Sequence, residues 1–213
     1  TEEQLEDSTA LQSFTDRTFP KEFAFKIDDA IYNGTGAGQP LGFLNSGALI
    51  SVAAEGGQTT KTIVTNNILK MWQRLFATSR MTAVWLINQD TEAQLYPLTL
   101  GSPSLGQILM YTPPGTQGNA GPYGLLMGRP VIPVEQAATL GTQGDIVLAD
   151  FDQYLLAKKG QMRADTSIHV AFLTGEQAFR FMVRVDGQPT WKKALTPKNG
   201  TNTLSPFVAL ASR

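Results

Sequence analysis

The chain has 213 residues, 42% of them hydrophobic and 9% aromatic, which is enough to bury a core without disulfides or metals. Its net charge of −1 and its lack of cysteine exclude a strongly basic phosphate-neutralising surface, a disulfide framework, a thiolate nucleophile and any cysteine-based zinc site. Charged residues make up only 16%, against roughly 25% in an ordinary soluble domain, and depletion of charge is a property of surfaces that meet other protein.

The opening Thr1-Glu2-Glu3-Gln4-Leu5-Glu6-Asp7 is acidic and polar, unlike a signal peptide, and the missing initiator Met leads us to expect a processed or trimmed chain. From a cap at Asp7 or Ser8, the residues Leu11, Phe14, Phe23, Ile27 and Ile31 recur at helical intervals and predict a helix through residue 32. Pro20 should kink or restart it, and Gly34 stands where a C-terminal cap belongs. Residues 33–58 are rich in Gly, Ser, Thr and Ala and read as loop. A second helix follows, capped by Asn66 or Asn67, with Ile68, Leu69, Trp72, Leu75 and Phe76 on one face. The run Ala83–Ile87 has the character of a buried strand. Asn88 or Asp90 then offers a cap for a third helix, which Pro97 limits.

Residues 101–124 are dense in Gly and Pro, with only Ile108–Tyr111 strand-like. The expectation for Thr112–Tyr123 is a projecting loop that partner contacts must order. Strands are predicted at Val131–Val134, Asp145–Ala149 and Tyr154–Ala157. A final antiparallel pair is predicted at Thr166–Leu173 and Phe179–Val185, joined by the hairpin Thr174–Gln177, with a further turn at Asp186-Gly187. The whole reads as α+β, with helices early and an antiparallel sheet late. No apolar run approaches the ~20 residues of a membrane span.

The candidates for chemistry are few. His169 is the single histidine, so any Ser–His–Asp triad has to use it, yet it sits mid-strand in this reading and no Gly-x-Ser-x-Gly elbow accompanies it. Gly34-Thr35-Gly36-Ala37-Gly38 is no dinucleotide fingerprint, because Gln39 takes the last glycine position and a helix precedes the run. It is no Walker A loop either, lacking Gly-Lys-Ser/Thr, and reads as turn-forming. Asp28-Asp29 and Asp150 with Asp152 are nominal carboxylate pairs without further support. Lys158-Lys159 and Lys192-Lys193 are small enough to be solvated turns. Asn33-Gly34-Thr35 and Asn199-Gly200-Thr201 match the glycosylation sequon, but nothing in the sequence indicates secretion. No catalytic, cofactor or metal residue is assigned.

Four stretches in order resemble Hong Kong 97-type phage major capsid proteins: residues 33–44 after the long helix, Trp85-Leu86-Ile87-Asn88, the region Leu125–Val131 with Gly144-Asp145-Ile146 and Asp150–Tyr154, and Phe181–Gly187. The resemblance spans roughly residues 7 to 210. It implies a long spine helix, an antiparallel peripheral sheet and an axial α/β domain. Carried over, residues 1–60 and 165–196 are peripheral, 61–164 axial, and 197–213 a C-terminal segment without assignment. It further implies a virion subunit that assembles with copies of itself into pentamers and hexamers around double-stranded DNA. Scaffold, maturation protease and portal proteins would be its partners, DNA contact would be weak and non-specific, and assembly would take place in the host cytoplasm. The N-terminal arm and extended loop of such proteins have no counterpart ahead of the helix. From that, a folded monomer or small oligomer is expected instead of closed shells, and no cross-linking residue is carried over. Encapsulin-type nanocompartment shells share the fold and are the alternative reading; a hydrolase is a distant third.

Overall fold

The apolar runs of the middle and C-terminal parts of the chain meet in one seven-stranded sheet. The structure, a computed structural model, describes residues 9–101, 106–116, 119, 121–167, 169 and 178–213. In chain order the strands are β1 (Ile50–Val52), β2 (Val84–Ile87), β3 (Thr99–Leu100), β4 (Ile108–Leu109), β5 (Tyr111–Thr112), β6 (Gly124–Leu126), β7 (Arg129–Pro133), β8 (Ile146–Ala149), β9 (Tyr154–Ser167), β10 (Ala178–Pro189) and β11 (Phe207–Leu210). The main sheet has the order β1-β11-β8-β2-β7-β6-β5, while β9 with β10, and β3 with β4, form separate two-stranded sheets. Pairing in the main sheet is mixed: β1 with β11 and β2 with β7 are parallel, the others antiparallel. The expected α+β architecture thus holds, and the purely antiparallel pairing holds for the long β9–β10 hairpin.

The three central strands alternate strictly between two buried faces. Trp85, Ile87, Ile146, Leu148, Val208 and Leu210 point to one side, where they meet Ile68, Met71 and Leu75 of helix α2 (Thr65–Arg74). Leu86, Val147, Ala149, Phe207 and Ala209 point to the other, against Phe43 and Tyr32 from the end of helix α1 (Thr9–Asn33). A strand buried on both faces is apolar at every position. That pattern explains Ile146–Ala149 and Phe207–Leu210, the second of which falls in the C-terminal segment without assignment.

Local chemistry corrects several expectations. Helix α1 runs on through Pro20 to Asn33. Gly34 ends it without a left-handed cap: its N–H still donates to the Ala30 carbonyl, and a Cβ there would lie 2.2 Å from the Pro40 oxygen. The glycine is required for space. Asn67 does not precede α2; at the third helical position its side chain accepts from the Val64 N–H. The third helix is a 3-10 turn, Gln89–Gln94, capped by Asn88, whose side chain accepts from the Asp90 N–H. Within the stretch read as loop, Ile50–Val52 pairs with β11 at the sheet edge. Met127 and Gly128 both take positive φ (51° and 76°) between β6 and β7, the two-residue turn whose twist suits a hairpin.

Asp145, fully buried, closes the sheet at one end. Arg213 grips its carboxylate with both terminal nitrogens, at 3.1 and 2.6 Å, and Gly141 N–H donates to it at 2.8 Å. The Arg213 Nε donates to the Thr62 carbonyl. Removing one member strands a buried charge, so Arg213→Met is expected to cost about 3–5 kcal/mol in urea unfolding. The Asp145→Leu, Arg213→Met double variant should recover much of that loss.

Candidate assembly surface

Helix α1 and the β9–β10 hairpin form an arm that leaves the main sheet. Phe19 stacks on Phe181 at 4.3 Å, so the Phe181 side of β10 faces the helix and Arg180, Met182 and Arg184 face away. Ladder partners point the same way, which places Lys159, Arg163 and Asp165 beside them on the outward face. Gly160, at φ 74°, lies in the bulge where the register shifts opposite Met182 and Arg184.

The arm joins the body at three backbone approaches. Tyr154 Oη donates to the Leu41 carbonyl at 3.0 Å, the Leu41 N–H donates to the Gly187 carbonyl at 2.7 Å, and the Gly42 N–H donates to the Gly34 carbonyl at 2.9 Å. Gly187 is not in a turn, as expected, but inside β10. A Cβ there would sit 2.8 Å from the Tyr154 ring, so the Asp-Gly pair reflects close packing. Burial, with Asp186 nearby, pushes the Tyr154 hydroxyl up to about 12. Burial and Asp145 also raise Tyr32, whose hydroxyl donates to the Gly144 carbonyl at 2.7 Å.

Beside this joint lies an apolar groove of about 360 Å³, lined by Ile31, Phe43, Leu86, Val134, Phe151 and Leu156, with Asp28 at its border. Elsewhere Met81, Ile108, Leu109 and Leu155 stand well out into solvent. A further element is Asn119, buried in the loop after β5. Its amide donates to the carbonyls of Thr112, Pro113 and Tyr123, and its oxygen accepts from the Gly121 N–H. The described residues of that loop are therefore organised from within.

The residues weighed for chemistry do not converge. His169 is exposed and lies past Ser167, where β9 ends, not mid-strand; its N–H donates to Ser167 Oγ. Apart from His169, the predicted strand beyond Ser167 and the hairpin Thr174–Gln177 lie outside the described residues. Asp150 is buried as a cap: it accepts from Thr82 Oγ1 at 2.8 Å and from the Asp152 N–H at 3.2 Å. Asp29 accepts from Asn33 Nδ2 one turn on. Gly36 and Gly38 take φ of 78° and 72°, turning the chain back so that Thr35 bridges Leu41. Lys158, Lys159, Lys192 and Lys193 are exposed. Among the described residues no group of three or more His, Cys, Asp or Glu could hold a metal ion, and no helix is long and apolar enough to cross a membrane.

The fold of this chain is similar to that of solved capsid structures. The capsid of an empty GTA (gene transfer agent) particle matches with a TM-score of 0.70 and 18% identity, covering 99% of this chain and 70% of that one. The capsid of the native GTA particle matches with a TM-score of 0.68 and 18% identity, covering 99% and 69%. No curated protein matches the chain. Residues 1–199 match the phage capsid family, and the chain belongs to it. It is a structural subunit of a phage-like head.

Two outcomes test the joint. Gly187→Ala forces the Tyr154 ring to move and should cost about 1–3 kcal/mol by urea midpoint. Because the Tyr154 hydroxyl holds its proton up to about 12 when folded, against 10.0 ordinarily, the folded chain binds more protons than the unfolded one in that window. The stability that this hydroxyl contributes is full below pH 10 and is lost as pH rises through 12; Tyr154→Phe should lessen the decline, and urea midpoints across that range measure both.

Proposed function

We propose that copies of this chain gather into pentamers and hexamers of an icosahedral head enclosing double-stranded DNA. The observation that carries this reading is membership of the phage capsid family, with the fold matched across nearly the whole chain to capsids computed with C5 symmetry. Low charge and projecting apolar side chains support it, because both suit surfaces that neighbouring protein covers. In this reading α1 with the β9–β10 hairpin is the peripheral unit. The mixed sheet, including β1 and β11, is the unit around which subunits cluster. Scaffold, maturation protease and portal proteins act on the assembling head in the host cytoplasm, and the chain itself contributes structure without a catalytic step. Contact with DNA is weak and non-specific, as a net charge of −1 suits.

Particles from a producing culture test the reading by electron microscopy with nuclease protection. The expected result is this chain as the main polypeptide of heads holding nuclease-resistant DNA; shells filled with protein cargo would favour a nanocompartment instead. Ile108→Asp with Leu109→Asp is expected to leave the unfolding free energy within about 0.5 kcal/mol, since both side chains are exposed. The same variant should lower particle yield roughly tenfold or more if these residues lie between subunits, as about 1.4 kcal/mol lost per contact already does so.

A further inference from the structure

The chain contains two Asn-Gly-Thr sequences, at residues 33–35 and 199–201, and the structure treats their asparagines oppositely. Asn33 closes helix α1 and its amide nitrogen donates to Asp29 Oδ1 at 2.9 Å and to the Gln136 carbonyl at 3.1 Å. The next N–H, of Gly34, is engaged with the Ala30 carbonyl at 2.9 Å. Gly34 is also hemmed in by the Pro40 and Ala30 oxygens, which a Cβ would approach to 2.2 and 2.3 Å. Asn199 lies on an exposed loop whose base is closed by paired hydrogen bonds between Leu195 and Leu204, at 2.8 and 2.9 Å. Among the described residues neither the Asn199 side chain nor the Gly200 N–H has a hydrogen-bond partner, and nothing lies within 4 Å of a Cβ built on Gly200.

We propose that Asn199 is a site of spontaneous deamidation in the folded protein and that Asn33, with the same local sequence, is protected by its fold. The reaction needs only water. The Gly200 nitrogen gives up its proton to solvent base and attacks Asn199 Cγ, forming a C–N bond. The Cγ–Nδ2 bond breaks, and the amide nitrogen leaves as ammonia with a proton returned from solvent. Water then opens the five-membered imide at either carbonyl, giving aspartate or isoaspartate. At Gly34 the first step requires breaking the hydrogen bond to the Ala30 carbonyl and releasing the Asn33 amide from Asp29 and Gln136. At Gly200 it requires only a rotation in open solvent.

The product adds one negative charge beside Lys198, and isoaspartate lengthens the backbone by one carbon. Both changes stay at a loop tip, where such change is best tolerated. The loop base is fixed independently: Arg74 donates to the Thr203 carbonyl and to Thr203 Oγ1. The modified chain therefore stays folded.

The test is peptide mapping by mass spectrometry after days in mildly alkaline buffer at physiological temperature, on the native chain and on the chain in denaturant. In the native sample the amide-to-acid mass gain and the split aspartate/isoaspartate peaks are expected in the Asn199 peptide, accumulating at least about tenfold faster than in the Asn33 peptide. That ratio corresponds to about 1.4 kcal/mol of local protection. In denaturant the two rates should converge. Asn199→Gln should remove the native signal and leave the unfolding midpoint unchanged. Equal native rates, a faster Asn33, or a native Asn199 peptide that stays intact while the denatured one converts would each overturn the proposal.

Discussion

The rest of the structure depends on one buried ion pair. Asp145 ends the loop into β8, and Arg213 follows β11, so their bidentate contact fixes the register in which the C-terminal strand enters the sheet. Desolvating both charges costs several kcal/mol, and mutual attraction offsets this only when every remaining donor and acceptor is satisfied. Here Gly141, Thr62 and Ala211 supply those partners. Register matters because all four residues of β11 are buried: a one-residue slip would exchange the set facing α2 for the set facing Phe43. The same turn holds α1, through Tyr32 on Gly144, and the end of β2, through the Asn88 N–H on the Asp145 carbonyl. Helix, sheet and C-terminal strand converge on the two residues Gly144 and Asp145.

The arm is built on a different principle. A two-stranded hairpin is marginal alone, and residues 17–26 of α1 are mostly exposed, with Pro20 removing one of the helix's hydrogen bonds. What holds the arm to the body is a set of backbone contacts among Gly34, Leu41, Gly42 and Gly187, close enough to demand glycine, plus the Tyr154 ring. Such a joint is stiff over a short distance and leaves the arm's faces uncovered. That is poor economy for a solitary monomer and natural for a subunit whose neighbours complete it.

The sequence was readable where one periodicity dominated. Ala83–Ile87, Val131–Val134 and Asp145–Ala149 all fall on strands, because apolar runs between turn residues have few other fates. It misled where a residue had two uses. Glycine at 34 and 187 looks like a cap and a turn, but both positions serve close approach, and only their neighbours in space, Pro40 and Tyr154, reveal it. Ile50–Val52 hid in a loop-like composition because three residues carry no period. Phe207–Leu210 did have the signal, a continuous apolar run, yet its central place depends on pairing with β1, which no local pattern encodes. The assembly surface was legible only as a deficit of charge. Its joint could not be read from sequence, since Tyr154 and Gly187 reach Leu41 from segments distant along the chain.

The position of β11 has a consequence for synthesis on the ribosome. Ile50 waits for Val208, and Ala149 for Phe207, so the gap between β1 and β8 stays open until residues 207–210 have been translated. Long-range pairing of this kind is slow and leaves strand edges available meanwhile. A nascent chain that has not yet delivered residues 207–210 lacks a finished body to present to its neighbours. Until β11 pairs, β1 and β8 each keep an open edge, so the order of synthesis places the closing of this sheet after the making of its other strands.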